Sequence, residues 1–524
     1  MISSGQKASI CRWVEDEQRR WSDWHSAIWH FAEPAWREYR SAEWYTTILK
    51  SEGFSVEVGS GGMPTAFCAS WSNGKGPTIL TYAEYDAVVG NCQAASLQRE
   101  PRDGLSPLAP GHTDPHSALG ISTLVGLLAV KRAMEQAGIR GTLLYMGEPA
   151  EKMQGSKLVH GLKGYYDGVD SIISFHPFYM LPFCNTARWD THCGAYYSCI
   201  YSFEVPMNDQ FLTSVEPIPQ VHTAPRPAGA NTAISLFHLQ VKALQDSVLS
   251  HEGGWSLSEA FLTTGVSTAD NLAAPLGQVQ YSWRTPTLEM AEQILLAINR
   301  CAVAVSCATG TTMTQRWIAR NRPGIANHAL AEVAWRNIQY CGAPRFDEAA
   351  TVVGRELQRA VGVDAMEDPF MHECRKLISP QDAETIVRRH LPSWQLNWTS
   401  DDYTEMTWYA PTVRFYIARP ALRMPSTGGG YPAWVLNALG GIPATIDPMI
   451  SSAAKVVGCT ILDLMSDPSL VKRAELEFEE RASSAGKITP LLPKSFEAPH
   501  GMNWPDYSYS ENGRYWPVYP PEAV

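Results

Sequence analysis

Three short apolar runs near the N-terminus each stop at ionisable side chains, and this pattern restricts the fold more than any other feature. "GPTILTYAEYDA" (76–87) runs into Glu84 and Asp86, "GTLLYMGEPAE" (141–151) into Glu148 and Glu151, and "VDSIISFHP" (169–177) into His176. Runs of this length read as buried strands. Between the first and second lies "SALGISTLVGLLAVKRAMEQAG" (117–138), a strongly apolar helix closed by glycine. The loop "GHTDPHSALG" (111–120) carries Asp114 and His116 into the start of that helix. Strands and helices in alternation specify an α/β fold with an open, mostly parallel sheet. Such sheets build their sites where the strands end. Upstream, residues 19–53 have helical apolar spacing and close on Gly53.

The texture changes near residue 195. A strand (195–206), a helix (230–251), a strand (276–287) and a helix (288–310) read as a compact α+β domain of ferredoxin-like type. The α/β character resumes with the strand "VRFYIARPA", the turn "STGGGYPAW" and the helix "SSAAKVVGCTILDLMSD". We therefore expect a catalytic domain in two parts, 1–194 and 319–483, with an inserted lid or dimerisation domain over 195–318. A Pro-, Tyr- and Trp-rich tail occupies 484–524. More than one core is expected of 524 residues.

Composition removes several classes of function. A net charge of −11 leaves no basic stripe for nucleic acid. No run approaches ~18–20 uninterrupted apolar residues, so no membrane span is expected. The first residues lack an apolar signal core. Eleven cysteines without CxxC spacing read as reduced thiols of a cytoplasmic protein rather than zinc knuckles. The 18 tryptophans and 21 tyrosines suit an aromatic small-molecule ligand, although large cores also use them.

Aspartate, histidine and glutamate at strand ends are donors for zinc, manganese or a similar divalent ion. Asp114, His116 and His176 would form a three-ligand face with an open position for water, and Glu151 would take a proton from that water. The competing reading is a proline-bracketed turn whose polar side chains cap a helix. His112 reads as a polar loop residue.

"GMPTAFCASW", "GPTILTYAEYDAV", "GHTDPHSALG", "GEPAEKMQGSKLVHGLKGYYDGVDSIISFHP", "TSDDYTEMTWYAPT" and "SSAAKVVGCTILDLMSDPSLVKRAELEFEER" together resemble the amidohydrolase–carboxypeptidase metallopeptidase clan. Within that clan the chain is most similar to the p-aminobenzoyl-glutamate hydrolase branch, over residues 10–482. The resemblance implies a zinc-binding α/β catalytic domain, a lid that forms a homodimer, and cleavage of amide bonds in N-acyl amino acids or small peptides. The family's bridging cysteine falls on Asp114, its loop histidine on His116, its W-H-P histidine on His176, and its general base on Glu151. Its next glutamate, a ligand of the second ion, is Lys152 here. The distal histidine ligand falls on Asp447, counted back from "AAK". His222 matches the lid histidine that polarises the scissile carbonyl, and Asn271 and Arg284 match positions that hold the substrate. Asp86 is carried as a substrate-site residue or a ligand-orienting carboxylate, and Asp402 as a second orienting carboxylate.

The two departures have one physical reading. An ammonium and a divalent cation repel strongly in a small pocket of low dielectric. Lys152 would then stand in for the second ion, with Asp447 as its counter-charge, leaving one ion rather than two. The alternative is that Lys152 faces solvent and nothing replaces the ion. The leading function is a metal-dependent amidohydrolase acting on a small N-acyl or aryl amide. Its competitors are a diverted scaffold acting on an aromatic metabolite and a catalytically dead small-molecule binder.

Overall fold

The computed structural model describes residues 4–178, 182–206, 229–247, 249, 253–263, 274–425, 428–486 and 489–501. The chain divides into two compact units: Met1–His192, Gly324–Trp394 and Asp402–Val524 form the first, and Cys193–Pro323 with Gln395–Asp401 the second. In chain order the strands are β1 (Ser55–Val58), β2 (Phe67–Ser72), β3 (Thr78–Ala83), β4 (Thr142–Gly147), β5 (Ser171–Phe178) and β6 (Thr186–Ala187). They continue with β7 (Ala195–Glu204), β8 (Ser256–Thr263), β9 (Leu276–Thr285), β10 (Thr312–Asn321) and β11 (Thr412–Ala418).

The first unit carries a seven-stranded sheet ordered β1-β2-β4-β3-β5-β11-β6. Its centre, β4-β3-β5-β11, is parallel, and the pairs at both edges are antiparallel. This is the α/β architecture expected, with the carboxyl ends of β3, β4 and β5 on one edge. Helix His116–Ala137 is buried along most of its length and ends at Gly138, whose left-handed φ of 63° lets its N–H reach the Met134 carbonyl. It packs against helix Pro443–Ser466 so closely that a Cβ on Gly126 would sit 2.6 Å from the Ala454 carbonyl oxygen.

These two helices and Leu288–Thr309 are long and apolar enough, by length and composition, to cross a membrane. The expectation of no such segment counted uninterrupted apolar residues, and the glycines, serines and threonines of these helices interrupt the runs. Over their most apolar stretches the first two are 89% and 83% buried, so they supply the core of the first unit. The N-terminal helical segment is broken in two, Gln18–Phe31 and Tyr39–Ser51, by Ala32 in the left-handed region and by Pro34.

The second unit is a four-stranded antiparallel sheet ordered β10-β7-β9-β8. Helix Ala230–Ser247 follows β7 and helix Leu288–Thr309 follows β9. The resulting βαββαβ order, with the strands arranged 4-1-3-2, is the ferredoxin-like arrangement.

Two buried histidines of the first unit make its stability depend on pH. His25 is fully buried with Ser117 Oγ at 3.2 Å from Nε2, and His192 holds Tyr403 OH at 2.8 Å from Nδ1. Burial pushes each imidazole down to about 3, with His30 adding to it for His25 and Arg188 for His192. Both are neutral in the folded state and protonate near 6.5 when unfolded. Their contribution is therefore complete above about pH 6.5 and is lost as pH falls toward 3. Urea midpoints should fall from pH 7 to pH 5, on the order of 1 kcal/mol per pH unit for each histidine. His25→Leu should flatten that slope, and an equal slope in the variant would contradict the assignment.

Candidate active site

The polar residues at the strand ends converge. His116, at the first position of its helix, is fully buried; its Nδ1 donates to Asp86 Oδ1 at 2.7 Å. The other Asp86 oxygen accepts the Lys152 backbone N–H at 2.8 Å. His176, on β5, donates Nδ1–H to the Pro177 carbonyl at 2.7 Å. Both imidazoles are thus oriented by an acceptor on Nδ1, which directs Nε2 into the cluster. His176 Nε2 lies 3.4 Å from Asp114 Oδ1, and His116 Nε2 3.7 Å from Asp114 Oδ2.

Lys152 completes the group. Its Nζ donates to Asp114 Oδ2 and Glu151 Oε2, both at 2.8 Å, and lies 3.1 Å from His116 Nε2. Two of its N–H bonds therefore meet carboxylates, and the ammonium also faces the His116 ring nitrogen. The turn that presents Glu151 and Lys152 is bracketed by Ala150 (φ 54°) and Gln154 (φ 53°). Left-handed backbone at non-glycine residues is costly and marks sites where geometry is imposed. Ala150 N–H is held by Glu38 Oε1 at 2.8 Å.

The electrostatics follow from this packing. Burial opposes charge on Lys152, but Asp114, Glu151 and Asp86 outweigh it and hold the ammonium well above its ordinary range. Burial likewise opposes ionisation of Glu151, and Lys152 and His116 reverse it, lowering that carboxyl to about 2. For His116, burial and Lys152 disfavour protonation, yet Glu84 and Asp86 raise it to about 9. Its Nε2, 3.2 Å from Glu84 Oε2, donates to that carboxylate when protonated and accepts from Lys152 when neutral. Carboxylates outnumber cations in this cluster.

Beneath it, Lys157 Nζ donates to Glu84 Oε1 at 2.7 Å and to Asp402 Oδ1 at 2.6 Å, all three side chains being fully buried. Glu148 accepts from His160 Nδ1 at 2.9 Å and from Tyr166 OH at 2.7 Å. Lys157 escaped the sequence reading; its signal was a lysine three residues before a histidine, right after the site turn.

The expected residues divide into groups. Asp114, His116, His176, Glu151 and Lys152 are together. Asp402 lies beside Lys157. Asp86 is fully buried with both oxygens engaged, so it orients His116 and Lys152 rather than meeting a substrate. Asp447 is not at the site. It lies in the first turns of helix Pro443–Ser466 against Ser22 and Gln18, where burial pushes its carboxyl up to about 6. The counter-charges of Lys152 are Asp114 and Glu151 instead. His112 is buried with Nε2 3.2 Å from the Ile28 carbonyl oxygen. Arg284 belongs to the second unit, over the Tyr196 ring at 5.2 Å. His222 and Asn271 lie outside the described residues.

The donor set can be tested against a divalent ion. Two ligands each ~2.1 Å from a tetrahedral ion lie roughly 3.4 Å apart, and Asp114 Oδ1 and His176 Nε2 show that separation at 3.4 Å. Donor atoms of Glu84, His116 and His176 also lie within 4.8 Å of one another. These donors suit a divalent ion, while Lys152 Nζ stands 2.8 Å from Asp114 Oδ2 and 3.1 Å from His116 Nε2, between two further donor atoms.

The fold is shared with solved structures. A protein from methicillin resistant Staphylococcus aureus assigned as an aminohydrolase superposes with a TM-score of 0.54 at 13% identity, over 88% of this chain and 100% of that one. An aminobenzoyl-glutamate utilization protein from Klebsiella pneumoniae gives 0.52 at 12% identity, over 86% and 98%. In sequence, the chain is similar to a p-aminobenzoyl-glutamate hydrolase subunit of Escherichia coli (strain K12), 22% identical over 495 residues, covering 92% of this chain and 96% of that protein. No family model matches. The resemblance read from the motifs is thereby borne out: this chain is a homologue of a hydrolase subunit.

Proposed function

We propose that this chain is a metal-dependent amidohydrolase that cleaves the amide bond of a small N-acyl or aryl amide, with one ion and one lysine where two ions would stand. The observation that carries the reading is the Lys152 ammonium, 2.8 Å from both Asp114 and Glu151 within the cluster at the strand ends. Asp114 and His176, with Glu84 as a further donor in reach, would hold the ion, zinc or manganese. When bound, that ion would act as a Lewis acid toward the carbonyl and the attacking water.

The protein's own groups divide the rest of the work. Glu151, ionised, accepts a proton from the attacking water and passes it to the departing nitrogen. Lys152 keeps Glu151 ionised and brings fixed positive charge to where the oxyanion develops. Its own charge is so strongly favoured that it acts as an ammonium, not as an amine nucleophile. Asp86 holds His116 in place. His222 would polarise the carbonyl, and Asn271 and Arg284 would bind the substrate's carboxylate, as the resemblance implies. A homodimer through the second unit belongs to the same reading.

A panel of N-acyl and N-aroyl amino acids, p-aminobenzoyl-glutamate among them, tests it. The expected result is release of free acid and free amine in equal amounts. Tight binding of panel members with no turnover would favour a binding protein and contradict the proposal.

A further inference from the structure

A second cluster of metal-binding side chains lies away from the strand-end site. Cys11 on helix Ser4–Asp16, Cys341 at the end of helix His328–Cys341 and Cys459 within helix Pro443–Ser466 bring their sulfurs within 4.8 Å of one another. None of the three is in a disulfide. Cys459 is fully buried and the other two are half-buried. Three sulfurs on one ion at zinc–thiolate distances of ~2.3 Å lie ~3.8 Å apart, so small side-chain adjustments suffice. Beside Cys341 opens a cavity of about 340 Å³ lined by Gln18, Asp447 and Lys455, polar enough to admit water as a fourth ligand. The cations flanking the cluster are themselves held, Lys455 by Glu15 at 2.7 Å and Lys7 by Asp463 at 2.7 Å. They offset thiolate charge without occupying the centre.

We infer that Cys11, Cys341 and Cys459 form a three-thiolate site for a thiophilic ion such as zinc, tying the N-terminal helix to two helices of the first unit. Each thiol would release its proton to solvent as its sulfur–metal bond forms, with no change of oxidation state. No CxxC spacing announces such a site, because each ligand comes from a different helix. The inference stands whether or not the strand-end cluster hydrolyses amides.

Cobalt(II), added to reduced, chelator-treated full-length protein, is the probe. A thiolate-to-cobalt charge-transfer band in the near ultraviolet is expected in the parent protein and in Glu151→Gln, since the strand-end donors are oxygen and nitrogen. Cys11→Ser, at a half-buried position, should lose the band while keeping its thermal midpoint in the presence of chelator. Zinc loading should protect the half-buried Cys11 and Cys341, and no other cysteine, from alkylation mapped by peptide mass. Absence of the band, equal alkylation with and without zinc, or a disulfide between any two of the three in freshly isolated protein would overturn the inference.

Discussion

Glu151→Gln is expected to lower amide hydrolysis by ~10²–10⁴-fold, the usual worth of a positioned general base. The glutamine keeps an oxygen for the Lys152 ammonium, now 2.8 Å from Glu151 Oε2, so the turn held by Glu38 should survive. What disappears is the carboxylate that takes the water proton. The fall should appear in kcat with little change in KM, because the loss is felt in the transition state. Less than a tenfold fall on the best substrate would place the base elsewhere.

The largest effect on stability is expected at Lys157, not at the reacting cluster. Its ammonium lies between Glu84 and Asp402, and none of the three side chains meets solvent. The ring of Tyr82 lies 4.9 Å from the same nitrogen. Lys157→Met would leave two carboxylates buried without the cation between them, at a cost of about 3–5 kcal/mol. Urea unfolding should show that loss as a lowered midpoint with an unchanged slope. A change below about 1 kcal/mol would mean the carboxylates find another partner or a proton. Because Glu84 also lies 3.2 Å from His116 Nε2, the variant should weaken metal retention as well.

The first of these residues was legible in the sequence and the second was not. Glu151 follows a buried strand, where an ionised side chain has no structural excuse and so stands out. Lys157 sits on a short helix, Ser156–Leu162, where a lysine ordinarily faces water; only the packing of Glu84 and Asp402 around it reveals its role. The parallel centre of the sheet was readable because β3, β4 and β5 are compact apolar runs. The antiparallel strands β1 and β2 were missed: β1, at the sheet edge, has four residues, three of them exposed, and so gives no apolar run. β8 and β10 escaped for a related reason, since β10 alternates exposed and half-buried residues over its first six positions.

The misplacement of Asp447 has a specific cause. The count back from "AAK" matched it to the family's distal histidine ligand, with the last long helix read from residue 451. The helix instead begins at Pro443 and carries Pro448 within it. Asp447 thereby becomes a helix residue packed against Gln18 and Ser22 instead of a loop residue at the strand ends. The charge argument for Lys152 survives the correction because Asp114 and Glu151 provide what Asp447 was expected to supply.

Lys152 thus carries the proposal, in which its ammonium would fill the place of an ion. Crystals of the zinc-loaded protein, measured at wavelengths either side of the zinc edge, locate each bound metal independently of ions held at other sites. The account predicts one anomalous peak in this cluster, against Asp114 and His176, with Lys152 Nζ still between Asp114 and Glu151. Two peaks bridged by Asp114, with the lysine turned away, would contradict it.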